Sequence, residues 1–133
     1  MSATAGSGDR ANWRASASAA PDSTASRNVR ASVSLSPSSS ASPQDYRRLD
    51  TLFHLSIADL AGSSLLAAAC ADARWRLNDF LNAIPVLKRN IEHTAGQHQA
   101  IVQAILAGDC ERARAAVAEH LEGTAALLRG FLG

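Results

Sequence analysis

Asp50 and His54 are the residues whose types and spacing most clearly suggest chemistry. They are four positions apart, so on an α-helix both side chains would lie on one face, close enough to bind the same ion. The same spacing is also typical of a pair that only stabilises a surface helix. Two further histidines, His98 and His120, occur downstream in segments with helical periodicity. One carboxylate and three imidazoles would form a metal site if the fold brought them to one point.

The surroundings of His98 and His120 predict that both imidazoles point into the protein. Apolar residues follow His98 at spacings of three, four and seven. Three apolar residues precede His120 at the same spacings, and Thr124 and Leu127 follow it four and seven residues later. A single histidine on an apolar face is usually a core residue satisfied by one hydrogen bond. Burying several titratable groups together is costly, however, unless a divalent cation compensates them. The residue types therefore leave two interpretations open: a metal site, and a helical bundle whose histidines hold no metal.

Helix start and stop signals predict four helices, at about 43–61, 63–83, 95–107 and 109–128. The first has an N-cap serine at Ser42 and a proline at its first position. Ser63 or Ser64 is expected to cap the second helix, and Asp109 the fourth. Thr94 and Gln97 have the spacing of a capping box, which predicts the start of the third helix and leaves 84–93 as a short helix or an elbow. Such an array is an all-α antiparallel bundle, and bundles usually build metal sites between facing helices.

The second helix is expected to turn one apolar face toward the core. Its periodic residues are Leu66, Cys70, Ala73, Leu77 and Phe80. The two cysteines of the chain, Cys70 and Cys110, do not form a paired spacing, so we expect reduced thiols of a cytoplasmic protein.

Residues 1–43 differ in composition from the rest of the chain and are expected to form a disordered tail. They are rich in Ser and Ala and contain almost no large apolar residues, so they cannot bury enough surface to offset their chain entropy. An organelle transit peptide is a weaker alternative, because no sustained amphipathic pattern runs through the segment. The foldable domain is therefore predicted to span 44–133, a size at which a metal ion or a dimer partner would help stability.

Charge and hydropathy exclude two functional classes for the predicted domain. Residues 44–133 carry nine basic and ten acidic side chains, so they offer no basic face suited to phosphate backbones, and no direct DNA binding is expected. Charged residues such as Asp59, Asp72 and Arg74 interrupt the most apolar stretch. A membrane span and a membrane partner are therefore not expected.

Three separated motifs carry a resemblance to a known family. They are Leu-Asp-Thr-Leu-Phe-His-Leu-Ser-Ile-Ala from Leu49, His-Gln-Ala-Ile-Val-Gln-Ala-Ile-Leu-Ala-Gly-Asp from His98, and Glu-His-Leu from Glu119. In this order they resemble the FCD domain, the all-helical FadR-like effector-binding domain of GntR-type bacterial transcription regulators. The resemblance covers roughly residues 44 to 130.

The resemblance implies a metal site and a ligand. The family's metal-binding positions correspond to Asp50, His54, His98 and His120, and zinc or nickel suits three imidazoles and one carboxylate. The resemblance further implies a homodimer that senses a small carboxylate metabolite. Arg74 and Arg76 are candidate partners for that carboxylate, since both flank the inward face of the second helix.

The chain departs from the family pattern in three places. Ser63 stands where the family usually has Asn, and Gln97 stands where an acidic residue usually precedes the histidine, which we interpret as an exchange of one capping side chain for another. The winged helix-turn-helix that binds DNA in full-length members is not recognisable. We therefore expect DNA contact only through such a missing domain, and a chain that is a truncated regulator or the remnant of one.

A sensor that is not an enzyme is the favoured functional interpretation. An open metal position could also activate water, so a small metalloenzyme of hydrolase type is the alternative. No obvious general base or nucleophile stands beside the predicted ligands, because Glu92, Glu119 and Glu122 are placed like ordinary solvated charges. His93 lies outside the predicted metal-binding set and is expected to be dispensable.

Overall fold

Local capping signals determine where most of the helices begin and end. The computed structural model describes residues 42–132 and contains four helices: α1 (Pro43–Leu60), α2 (Ser64–Ala83), α3 (Lys88–Leu106) and α4 (Cys110–Leu132). No strand occurs among these residues. The described residues form an all-α antiparallel bundle, as the sequence predicts. The predicted tail, apart from its last two residues, lies outside the described residues.

The first helix confirms its predicted start in detail. The side chain of Ser42 accepts a hydrogen bond from the backbone of Asp45, and the Asp45 carboxylate accepts one from the backbone of Ser42. This reciprocal pair satisfies two N–H groups that have no partner inside the helix. The turn after α1 contains Gly62 at φ 71°, a left-handed conformation that favours glycine.

The second and fourth helices also begin at their predicted caps. Ser63 accepts a hydrogen bond from the backbone of Leu66, and Asp109 accepts one from the backbone of Arg112. The fourth helix continues to Leu132, four residues beyond its predicted end at 128.

The third helix begins at Lys88, seven residues before the predicted start at 95. The prediction of a capping box at Thr94 and Gln97 is therefore wrong, since both residues lie inside the helix. No glycine or proline occurs between Lys88 and Thr94, and Ile91 is half-buried on the face that continues to His98. Burial along these two extra turns thus outweighs the local cap signal. The helix starts soon after Pro85, which the preceding chain approaches in extended conformation.

The helices pair as two hairpins, α1 with α2 and α3 with α4. A small hydrophobic core joins the hairpins. Phe53 of α1 is fully buried against Ile101 and Val102 of α3, and Ala116 and Val117 of α4 pack against this group. Burying such side chains is the main stabilising term in a domain of this size.

Two polar contacts hold α1 against α2. The guanidinium of Arg47 donates to the carbonyl oxygens of Leu81 and Ile84, at 2.7 and 3.4 Å. A basic group suits this place, because the last carbonyls of a helix lack partners and carry partial negative charge. The amide of Asn78 donates to the Thr51 hydroxyl at 3.0 Å. These contacts place the first turns of α1 beside the end of α2.

The prediction for the inward face of α2 is wrong by about one residue. Leu66 and Phe80 are 48% and 53% exposed, and Ala73 is exposed. The residues of α2 that are buried are Arg74 and Leu81, each one position further along the chain. One residue corresponds to about 100° of rotation around a helix. The rotation follows from Arg74, whose guanidinium binds the carboxylate of Asp50 inside the bundle.

None of the helices between Pro43 and Leu132 is long and apolar enough to cross a lipid bilayer.

Candidate metal centre

Three helices bring three imidazoles to one point. Nε2 of His120 in α4 lies 3.1 Å from Nε2 of His54 in α1 and 3.3 Å from Nε2 of His98 in α3. All three ligand atoms lie within 4.8 Å of one another. The prediction that His98 and His120 point inward is confirmed, since they are 7% and 4% exposed.

Asp50 completes the group from the turn of α1 that precedes His54. Its Oδ1 lies 3.7 Å from Nε2 of His54 and 3.5 Å from Nε2 of His98. Asp50 is itself buried. We call Asp50, His54, His98 and His120 the Asp/His cluster.

The spacing of donor atoms in the Asp/His cluster fits a transition-metal ion. Four donors about 2.0–2.1 Å from a tetrahedral zinc ion lie roughly 3.3–3.4 Å from one another. Four of the six separations among these donors run from 3.1 to 3.7 Å and scatter around that value, and the three imidazole nitrogens all lie within 4.8 Å of one another. Imidazole nitrogen and carboxylate oxygen are also donor types that zinc and nickel accept. The four residues of the Asp/His cluster therefore fit the metal ion that the family resemblance implies.

Aromatic packing orients the imidazoles. The ring of Phe53 stacks on His98 with 3.8 Å between centroids and 16° between planes. The same ring meets His54 edge-on at 5.4 Å. Because Phe53 has no exposed surface, its position is determined by the core. The core residue of the Asp-x-x-Phe-His motif thus supports the two histidines on either side of it.

Gln97 contacts His120 from the side opposite the cluster. Its Oε1 accepts a hydrogen bond from Nδ1 of His120 at 3.0 Å. Sequence reasoning assigned Gln97 to a helix cap and missed this contact, because the capping box appeared to explain the residue. The available signal was that Gln97 is next to one candidate ligand, His98, on a helix that faces another, His120.

Burial keeps the three imidazoles uncharged near neutral pH. It lowers the pKa of His54 to about 4 and the pKa of His98 to about 3, although the Asp50 carboxylate opposes the shift in each case. Burial lowers the pKa of His120 as well, again against the effect of Asp50. A neutral imidazole offers the lone pair that a metal ion requires.

The two arginines predicted to bind an effector have different environments. Arg74 is 7% exposed, and its guanidinium forms an ion pair with Oδ2 of Asp50. Arg76 is not brought to the cluster: its side chain is 77% exposed and pairs with Asp72 at 3.0 Å. Two positions on a helix are about 200° apart, so the two side chains cannot both point inward.

A cavity adjoins the Asp/His cluster, with α1, α2, the start of α3 and α4 all contributing to its wall. Its volume is about 50 Å³, room for a few waters or one small polar group. The cluster residues Asp50, His54 and His120 line it, together with Arg74. Sequence reasoning missed its other polar residues, which are Tyr46, Arg47, Asn90, Thr94 and Thr124. Tyr46 and Arg47 stand four and three residues before Asp50, so helical spacing was a usable signal for both.

Both arginines at the cavity carry a buried, unpaired donor. Nε of Arg47 and Nε of Arg74 have no hydrogen-bond partner among the described residues. Buried donors without partners are rare in folded proteins and often mark a site where a ligand or water completes the contact.

The fourth histidine and the three glutamates considered in the sequence analysis lie at the solvated surface. His93, Glu92 and Glu119 are exposed, and Glu122 is paired with Arg129 at 2.7 Å on the surface. Among the described residues that line the cavity, Asp50 is the single carboxylate. The cavity therefore offers no free carboxylate placed as a general base.

Comparison with known proteins gives one match. The family model of the FCD domain matches residues 12–123. The match starts within the segment 1–43 that the sequence predicts to be a tail, and most of that segment lies outside the described residues. Searches of curated proteins and of solved structures give no match.

Proposed function

Because the chain belongs to the FCD domain family, whose members are the ligand-sensing domains of GntR-type transcription regulators, we propose that it senses a small carboxylate through a divalent metal ion. The Asp/His cluster would hold the ion, with zinc or nickel the best match to its donors. The observation that carries the proposal is the convergence of three neutral imidazoles and one carboxylate from α1, α3 and α4 on a single point.

A bound ion would supply positive charge and an open coordination position at which a carboxylate can bind. The protein's own residues would supply the rest of the recognition. Arg74 keeps one oxygen of Asp50 occupied and leaves the other facing the imidazoles. The unpaired Nε groups of Arg47 and Arg74 would donate to an anion in the cavity. The size of the cavity favours a small acid.

Sensing is better supported than catalysis. The family consists of regulatory proteins, and Asp50 is the single carboxylate on the described cavity wall. Since Asp50 already faces two imidazoles and binds Arg74, it is not free to accept a proton from water. A bound acid would instead pull on residues of three helices at once, which is a means of changing how helices sit in a regulator.

We also propose that the domain forms a homodimer through an apolar stripe on α2. The stripe consists of the residues predicted to face the core: Leu66, Cys70, Ala73, Leu77 and Phe80. Leu66 and Phe80 are both about half exposed and lie seven residues on either side of Ala73. An antiparallel second copy would therefore place Leu66 against the partner's Phe80 around a two-fold axis at Ala73, which makes the surface self-complementary. The site of action would be cytoplasmic, where GntR-type regulators act and free thiols such as Cys70 and Cys110 persist.

The test of the sensor combines metal analysis with ligand screening. Protein purified without an affinity tag is expected to contain about one zinc or nickel ion per chain. A panel of small carboxylic acids should raise its melting temperature, and a chelator should abolish that rise. His98→Ala should remove the metal, whereas His93→Ala, at an exposed site five residues away, should retain it.

Three outcomes would contradict the proposal. Folded protein without metal, and without affinity for added zinc, would leave only a structural role for the histidines. If carboxylic acids still raise the melting temperature in the presence of the chelator, ligand binding would not depend on the metal. Turnover of an ester or amide would favour the hydrolase.

A further inference from the structure

Gln97 joins two helices at the Asp/His cluster. It precedes His98 in α3, yet its Oε1 lies 3.0 Å from Nδ1 of His120 in α4. An amide oxygen can only accept a hydrogen bond, so Nδ1 of His120 carries the ring proton. A neutral imidazole has one such proton, and Nε2 of His120 is therefore unprotonated. Its lone pair faces the point at which Nε2 of His54 and His98 lie 3.1 and 3.3 Å away.

The surroundings of Gln97 give its side chain room to hold this position. Gly123 lies one turn after His120, and a Cβ atom there would sit 3.7 Å from Nε2 of Gln97. The amide nitrogen thus lies toward Gly123 and the amide oxygen toward His120. Gln97 also lines an open groove of about 420 Å³ between α3 and α4.

We propose that Gln97 is a positioning residue that selects the Nδ1–H tautomer of His120 and, through it, sets the metal affinity of the cluster. The effect of Gln97 on metal affinity rests on the proposed function, whereas its effect on the His120 tautomer is a property of the metal-free protein. Gln97 is uncharged, so it orients the ring without adding negative charge. A carboxylate at the same place would make His120 a stronger donor to a metal ion.

Two substitutions separate orientation from charge. Gln97→Met keeps the length of the side chain and removes the acceptor, and Gln97→Glu keeps the acceptor and adds charge. Gln99 is exposed on the same helix, so Gln99→Met and Gln99→Glu are matched controls for side-chain loss and for added charge near the site.

The first measurement is long-range ¹H–¹⁵N NMR of the imidazole nitrogens in metal-free protein at pH 7. His120 is expected to show a protonated Nδ1 and a bare Nε2 in the wild type and in both Gln99 variants. In Gln97→Met, the ring should shift toward the Nε2–H tautomer. A helix-packing role alone would leave the tautomer unchanged, so an unaltered His120 spectrum in a folded Gln97→Met protein would overturn the proposal.

The second measurement is the zinc dissociation constant. We expect binding about 10- to 100-fold weaker in Gln97→Met, and tighter than wild type in Gln97→Glu. The Gln99 variants should match wild type. If Gln97→Met does not fold, Gln97→Glu still provides a test. An unchanged zinc affinity in that variant would overturn the claim that Gln97 sets the metal affinity of the cluster. If wild type and all variants fail to bind zinc while the tautomer shifts, the proposed function is overturned and the tautomer assignment stands.

Discussion

Arg74 binds Oδ2 of Asp50 in the interior of the bundle, and this pair directs the other carboxylate oxygen, Oδ1, toward His54 and His98. Both side chains are nearly inaccessible to solvent. The guanidinium therefore compensates a buried negative charge and orients a candidate metal ligand in one contact. The pair also links α1 to α2 and explains the rotation of α2 away from its predicted orientation.

Removing the Arg74 charge should destabilise the metal-free protein strongly. Arg74→Met leaves the Asp50 carboxylate buried without its partner, a change that costs about 3 kcal/mol of unfolding free energy. Arg76→Met is the matched control, since that side chain is 77% exposed and its ion pair contributes at most about 1 kcal/mol. Urea unfolding with a chelator present measures both. Equal effects of the two variants would contradict the role of the Arg74–Asp50 pair.

The metal-free protein should lose stability in acid. The pKa of His54 falls from an ordinary 6.5 to about 4 on folding, and that of His98 falls to about 3. Between these values and 6.5, the unfolded chain binds protons that the folded chain does not. The contribution of these histidines is therefore complete above pH 6.5 and is lost as pH falls toward 4 and 3. Each histidine lowers the unfolding free energy by about 1.4 kcal/mol per pH unit in that range.

Urea unfolding from pH 7 to pH 4.5 in a chelator checks this slope. His98→Asn should reduce the slope by the share of one histidine, whereas His93→Asn, at an exposed site, should leave it unchanged. A stability that does not change with pH in the wild type would mean that the imidazoles are not buried in neutral form.

Replacing the ring that stacks on His98 should weaken metal binding more than it weakens folding. Phe53→Leu keeps an apolar side chain in the core, so the unfolding free energy should fall by only about 1 kcal/mol. It removes the ring whose centroid lies 3.8 Å from the centroid of the His98 ring, and zinc should bind about tenfold more weakly. Phe131→Leu, half exposed near the end of α4, is the control for both measurements. Unchanged zinc affinity in Phe53→Leu would rule out orientation of His98 by the stack.

An engineered disulfide tests the proposed dimer surface. In a background with Cys70→Ala and Cys110→Ala, Ala73→Cys would place two thiols at the two-fold axis, so oxidation should give a covalent dimer. Ala68→Cys lies on another side of α2 and is also exposed, so it should crosslink far less. Non-reducing electrophoresis compares the two variants. Equal crosslinking in both, or none in Ala73→Cys, would place the dimer interface elsewhere or exclude it.

Local chemistry in the sequence accounts for much of the fold. Ser42, Ser63 and Asp109 cap helices where predicted, and Gly62 adopts the left-handed turn conformation that its position requires. A cap acts through hydrogen bonds within three residues, so nothing distant can easily override it. The start of α3 is the exception, because burial along Ile91 and His98 extended the helix past its expected cap.

The sequence by itself determined which residues could form the site, because a spacing of four puts Asp50 and His54 on one helix face and apolar periodicity turns His98 and His120 inward. Only the tertiary structure decided which of two arginines two residues apart is buried, and which nitrogen of His120 faces Gln97. These choices depend on how one helix is rotated against another. That rotation is set by charge pairing and side-chain packing between residues far apart in the chain, which no local spacing records.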